Sequence, residues 1–242
     1  MNLPILLYHH VVKDSANSDL APFIINEADF IWQLDLLDDL GYSAITLKDL
    51  LSTRDLTNKV IITFDDCARN LLDHALPHLE KKKWNAVFFA PFAHLGGNNA
   101  WNIKKGKSEM ALMTTDEVKY ISKLGHEIGA HSMTHPHLNK CTPSEIFYEI
   151  NESKKRLDAL LGKAVHSFAY PYGHYPPNYK EIMKNAGYKC AVSMYSKAIT
   201  VLSDPYCIRR TVVGQNETPV TFKWKISSLY YRLRVFSDYF TY

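Results

Sequence analysis

Val60-Ile61-Ile62-Thr63-Phe64-Asp65-Asp66 is the stretch that decides the fold: five β-branched or aromatic residues run without a break into two carboxylates. An apolar run of that length with no polar alternation reads as a strand buried on both faces, the pattern of a parallel sheet covered by helices. Two acids at its C-terminal end then stand where such sheets carry their chemistry.

The same alternation extends in both directions. Strand-like runs fall at 5–8, 44–46, 86–89, 127–130, 167–170, 190–193 and 208–213. Between them lie helical patterns. Phe30, Leu34 and Leu37, with Ile31 and Leu40, keep helical spacing and stop at Gly41. Residues 47–51 and 71–83 read as helices too, and Thr114-x-x-Glu117 and Thr142-Pro143-x-Glu145 are capping boxes opening helices that end near Gly125 and Gly162. Seven or eight short strands alternating with helices predict an α/β protein. A closed or nearly closed β/α barrel is the first reading and an open doubly wound sheet the second. Residues 96–108 (GGNNAWNIKKGKS) read as a surface loop at the barrel mouth.

Composition sets outer bounds. With 242 residues, 46% hydrophobic and 22% charged, the chain is long enough to bury its core without disulfide staples. Cys67, Cys141, Cys190 and Cys207 are widely spaced and predict reduced thiols. A net charge of +3 gives no footing for nucleic acid as a partner. Residues 1–10 carry no basic region. Their apolar run, which ends in His9-His10, is too short for a signal peptide or for a span of about 20 apolar residues, so the expected location is cytoplasmic.

Polar groups recur where the predicted strands end: His9-His10, Asp65-Asp66, His131-x-x-x-His135, and Tyr170-Pro171-Tyr172-Gly173. Two histidines four apart converge on one ion if the chain turns helically between them; as a bare pair they are more often ordinary loop or helix residues. Catalytic metal sites often use two His and a carboxylate, which Asp66 can supply, leaving Asp65 free to accept a proton. A turn or helix cap accounts for one of these aspartates but poorly for both.

Thr63-Phe64-Asp65-Asp66, His131-Ser132-x-x-His135 after GHEIGAH, and Phe168-Ala169-Tyr170-Pro171-Tyr172-Gly173 together resemble the successive motifs of NodB-type polysaccharide deacetylases, carbohydrate esterase family 4. The resemblance runs from about residue 3 to 213. It implies a distorted (β/α)7 barrel, placed over residues 1–217; outside the resemblance, residues 218–242 read as a basic aromatic helical tail. The resemblance implies a divalent ion, Zn2+ first and Co2+, Ni2+ or Mn2+ as alternatives, held by Asp66, His131 and His135, with Asp65 as base. YHHV and the Phe30–Tyr42 pattern FxxQLDxLxxLGY are similar to the permuted poly-N-acetylglucosamine deacetylase branch, which maps the general acid onto His9, with His10 as runner-up.

The pattern departs from the family in places. Ala169 stands where an arginine usually orients the catalytic Asp, the Asp-x-x-Asp-Trp motif is missing, and Cys67 replaces a frequent glycine. Arg209 or Arg210 either compensates for the missing arginine or is a surface residue. No histidine follows His174, so a late Leu-x-His acid is missing as well.

The expected chemistry is hydrolysis of N-acetyl groups on a hexosamine-containing glycan or lipid-linked sugar, with O-acetyl ester cleavage or a non-catalytic glycan binder as alternatives. The backbone N–H of Tyr172, beside Pro171, is the expected oxyanion donor. Tyr172 and Trp101 either stack on sugar or fill packing. The tail interleaves Lys223, Lys225, Arg232 and Arg234 with aromatic residues, which suits either a final helix on the barrel or peripheral contact with a membrane.

Overall fold

The computed structural model describes residues 3–13, 23–53, 55–196 and 203–241. Among the described residues eleven strands are formed: β1 (Ile5–Tyr8), β2 (His10–Val12), β3 (Ile24–Asn26), β4 (Ser43–Ala44), β5 (Lys59–Phe64), β6 (Val87–Ala90), β7 (Glu127–Ala130), β8 (Ser167–Ala169), β9 (Cys190–Ser193), β10 (Ile208–Arg209) and β11 (Thr211–Val212). The main sheet is parallel and ordered β10-β9-β8-β7-β6-β5-β1-β11, with β4 added beside β5. β2 and β3 pair separately.

The expected strand at 208–213 is broken at Arg210. Its first half pairs with β9 (Arg209↔Ser193) and its second with β1 (Leu6↔Thr211). Arg210 N–H still donates to the Ser193 carbonyl at 2.8 Å, and Val213 N–H to that of Leu7 at 3.0 Å. One chain segment thus changes partner in mid-course and joins the two edges of the sheet. Counting it as one strand, the ring holds seven, which favours the barrel over the open sheet.

Strand parity sorts the core into two clusters. Tyr8, Phe64, Phe88 and Phe168 point outward and pack with helix residues such as Phe30, Leu34 and Leu71. Ile5, Ile61, Val87, Phe89, Ala169, Val192 and Ile208 form the second cluster, with Leu47 and Leu50 of the short helix Leu47–Leu50. This second set is the barrel interior. Gly129 belongs to it by register, paired with Phe89. A Cβ there would lie 2.4 Å from the Phe89 ring and 2.7 Å from Ser167 Oγ.

Both expected capping boxes form, and Gly41, Gly125 and Gly162 take positive φ at helix ends. The 71–83 helix is instead two pieces, Leu71–His74 and Leu76–Lys82, because the Pro77 ring clashes with the carbonyl four residues back. The helix opened at Thr142 contains a π-turn at Tyr148–Glu152. Residues 96–108 are more than a loop: they hold the helix Ala100–Ile103 and bury Trp101. All four cysteines are free.

Gly129→Ala should cost about 1–3 kcal/mol of stability through overpacking of the barrel interior. Denaturant unfolding would show this as a lower midpoint at unchanged slope.

Candidate active site

Asp65 follows β5 on the inward parity of Ile61 and Thr63, and its N–H still donates to the Tyr8 carbonyl at 3.0 Å. An ordinary strand would send Asp66 outward. Asp66 and Cys67 instead take φ of +68° and +50°, and this left-handed turn brings the second carboxylate back over the barrel mouth. Cys67, fully buried, holds a conformation that glycine adopts without steric cost.

His131 follows β7. Its Nδ1 lies 2.8 Å from the Ala169 carbonyl, which can only accept, so Nδ1 carries the hydrogen and Nε2 presents a lone pair. That Nε2 is 3.6 Å from Asp66 Oδ1 and 3.8 Å from Asp65 Oδ2. His135 Nε2 is 3.4 Å from the same Asp66 oxygen. The turn between the two histidines is not helical, as the spacing argument required. It is a loop with Ser132 and His135 at φ +64° and +60°.

Glu149, aimed by the π-turn, holds that loop. It accepts from the N–H groups of Met133 and Thr134 at 2.8 Å each and from Thr134 Oγ1 at 2.6 Å. Sequence reasoning missed Glu149, because nothing in a helical pattern marks a π-turn. Trp101, considered as a sugar platform, lays its ring on His135 instead, centroids 4.2 Å apart and nearly parallel.

Ligand atoms of Asp66, His131 and His135 all lie within 4.8 Å of one another, and all three residues are buried. Asp66 Oδ1, faced by both imidazole nitrogens, has no hydrogen-bond partner. Burial and the neighbouring Asp65 charge push the Asp66 carboxyl well above the usual range. Burial likewise pushes His135 well down, with His131, His9 and His94 adding to it. Burial thus keeps both imidazoles unprotonated and favours the neutral Asp66 carboxyl, whose proton a divalent cation would displace; two imidazoles and a carboxylate are a donor set such a cation takes.

Asp65 is in the opposite condition. Burial alone would raise its carboxyl, but the charges of Arg210 and His131 and the Arg210 hydrogen bonds outweigh it and hold the group at about 2. Arg210 makes a bidentate contact, Nη1 to Oδ1 at 2.6 Å and Nη2 to Oδ2 at 2.7 Å. Its guanidinium also donates to Thr63 Oγ1 and lies 5.4 Å over the Phe89 ring. Of the two candidate arginines, Arg210 is therefore the one on Asp65. Arg209 turns to an ion pair with Asp238 in the last helix.

Of the remaining expected site residues, His9, His10 and Tyr172 border the same cavity of about 290 Å³, and Pro171 does not. His9 is half-buried between β1 and β2, its ring against Phe23, and feels the charges of Asp65, Arg210 and His131. Burial pushes it down to about 4. His10 also borders the cavity, but its Nδ1 sits 3.4 Å from Asn70 Nδ2, and among charged neighbours only His9 acts on it. Tyr172 has φ +59°, stacks on His137 (3.7 Å) and accepts from Lys105 Nζ at 3.2 Å. Pro171, buried, begins the single turn Pro171–Gly173 that carries it.

A parallel barrel with two carboxylates and two imidazoles at the C-terminal ends of its strands is suited to hydrolytic chemistry. The chain belongs to the polysaccharide deacetylase family, whose model matches residues 53–191. It is 28% identical over 232 residues to YxkH of Bacillus subtilis (strain 168), a candidate polysaccharide deacetylase, covering 94% of this chain and 77% of that one. It is 26% identical over 215 residues to the poly-beta-1,6-N-acetyl-D-glucosamine N-deacetylase of Staphylococcus aureus (strain MSSA476), covering 84% and 72%. Among solved structures, the Streptococcus pyogenes deacetylase PplD in complex with acetate superposes with a TM-score of 0.78 at 24% identity, over 94% of this chain and 99% of that one. That likeness establishes the nearly closed barrel.

Arg210→Met should destabilise the fold by about 3–5 kcal/mol, because it leaves the Asp65 charge buried and unpaired. Adding Asp65→Asn to it should recover most of that loss in thermal unfolding. A double variant no more stable than the single one would show that the pair is not what holds the segment.

Proposed function

We propose that this chain is a metal-dependent N-deacetylase of glycans that contain N-acetylhexosamine. The observation that carries the reading is one carboxylate held ionised by Arg210 beside a second that shares its space with two imidazoles. The N-deacetylase name of the Staphylococcus aureus relative supports the amide over the ester as the bond cleaved.

Asp66, His131 and His135 would hold the ion; two imidazoles and a carboxylate suit Zn2+, with Co2+, Ni2+ and Mn2+ as alternatives. A cation there supplies Lewis-acid polarisation of the acetyl carbonyl and a more acidic water, which a base as weak as Asp65 requires. Asp65, fixed in orientation by the Arg210 fork, accepts the proton of the attacking water on its carboxylate. The backbone N–H of Tyr172 is assigned to the acyl oxygen as its charge develops.

The departing amine needs a proton, and His9 is the group assigned to give it. Burial holds His9 neutral in the free protein, Arg210 and His131 add to that effect, and Asp65 opposes it. Negative charge growing on the acyl oxygen favours the imidazolium, so His9 would take up one proton, from solvent or from Asp65 after it has accepted the proton of the water, and pass it to the nitrogen as the C–N bond breaks. His10, held by Asn70, is assigned no proton transfer. Cleavage of O-acetyl esters needs the same base and the same oxyanion donor but less help from His9, since an alkoxide leaves more readily than an amine anion.

Acetate release from N-acetylglucosamine oligomers tests the proposal. Chelation should abolish it, and divalent metal should restore it. Asp65→Asn should lower kcat by at least about 10²-fold, and His9→Ala by roughly 10²–10⁴-fold, with KM little changed. Metal analysis should show the ion lost from His131→Ala and His135→Ala but kept by Asp65→Asn. Metal-loaded protein that frees acetate only from O-acetylated sugars, or from none, would overturn the N-deacetylase reading.

A further inference from the structure

The last two helices, Pro219–Lys225 and Ser228–Thr241, carry an exposed apolar surface. Val220, Trp224, Leu229, Leu233 and Phe236 are between 42% and 77% exposed. Leu229, Leu233 and Phe236 follow an i, i+4, i+7 spacing and so form one stripe. The opposite side of that helix is already used: Val235 is buried, and Tyr231 packs on the barrel-interior cluster. Asp238, also buried, pairs with Arg209 and accepts from Ser196 N–H at 2.9 Å. The helix is thus anchored through one face and presents a second apolar face outward.

Charge decides what covers that face. From 218 to 242 the cations are Lys223, Lys225, Arg232 and Arg234, and the one acid is Asp238. Asp238 faces inward, and Lys225 is paired with Glu217. Lys223, Arg232 and Arg234 are exposed; Arg232 flanks the apolar stripe, and Arg234 lies on the side of the helix toward Arg209. A second copy of the chain would bring Lys223 and Arg232 up against the same cations of its partner, which like-charge repulsion disfavours. Apolar side chains flanked by Lys and Arg, with no exposed carboxylate among residues 218–238, suit an anionic lipid surface: the stripe enters the headgroup boundary and the cations meet lipid phosphates. No helix among the described residues is long and apolar enough to cross a membrane, so the contact is peripheral.

The position of this element connects it to the active site. Tyr230 and Arg234 of the last helix line a cavity of about 560 Å³ that shares Met194, Tyr195 and Arg210 with the catalytic cavity. We propose that the two C-terminal helices lie on an anionic membrane surface and present the active site to acetylated glycan carried there. The docking stands on the surface alone; its consequence for substrate rests on the N-deacetylase reading.

The test uses the full chain with phosphatidylcholine vesicles, either neutral or containing about one third phosphatidylglycerol. Sedimentation with the anionic vesicles should exceed that with neutral ones by at least roughly tenfold and should fall steeply at high salt. Leu229→Ser/Leu233→Ser/Phe236→Ser should abolish binding while keeping wild-type acetate release from soluble oligomers. Lys223→Glu/Arg232→Glu, which leaves the apolar stripe intact, should weaken binding at least roughly tenfold and provides the answer if the triple variant fails to fold.

Vesicle binding equal in wild type and charge variant overturns the proposal, as does no binding to anionic vesicles. A wild-type dimer that the triple variant dissolves overturns it too, by assigning the face to a second copy. Vesicle binding without acetate release from any substrate upholds the docking and removes the enzymatic reading alone.

Discussion

The buried pair of Asp65 and Arg210 is the constraint on which the rest of the molecule turns. Neither charge is stable alone inside the barrel, where removing an ion from water costs several kcal/mol even after relaxation. The bidentate fork and the extra donation to Thr63 offset that cost. Arg210 is also the residue at which the closing segment leaves β9 for β1. Joining the edges of the sheet and charging the assigned base are therefore one structural event. A chain that failed to close there would leave Asp65 either protonated or destabilising.

Much of this was legible in the sequence, and the reasons differ by element. Runs such as 60–64 and 127–130 are short, apolar and bounded, so their strands followed directly; the capping boxes at Thr114 and Thr142 did the same for two helices. Motifs at strand ends pointed to Asp65, Asp66, His131 and His135 because a parallel barrel carries its polar groups there. The choice between Arg209 and Arg210 was not legible. Adjacent residues face opposite sides of a strand, and only the register of β10 against β9 shows which one enters the barrel. The break at Arg210 was equally hidden, since both halves are apolar enough to read as one strand.

What pattern reading missed around the site is mostly backbone conformation. Period and propensity describe helices and strands, and the residues that aim the site's side chains are in neither. Asp66, Cys67, Ser132, His135 and Tyr172 all have positive φ, and none is glycine. Glu149 acts through a π-turn, and Trp101 through a short helix inside a polar, glycine-containing segment. Each is a local exception that the surrounding structure enforces, and such exceptions concentrate at functional sites.

Those left-handed residues also bear on when the site is formed. Each costs on the order of 1–3 kcal/mol, so five within three loops is a large local burden for a domain of ordinary stability. They persist because their surroundings over-determine them. The β5–β1 ladder holds the chain up to Asp65, Glu149 ties down the loop of His131 and His135, and the Ala169 carbonyl fixes the His131 tautomer. None of these contacts requires a ligand. Contacts within the protein thus hold the loops that carry the three candidate metal-binding side chains. Side chains whose loops are held by contacts within the protein are preorganised, which is how catalytic groups are positioned before substrate enters.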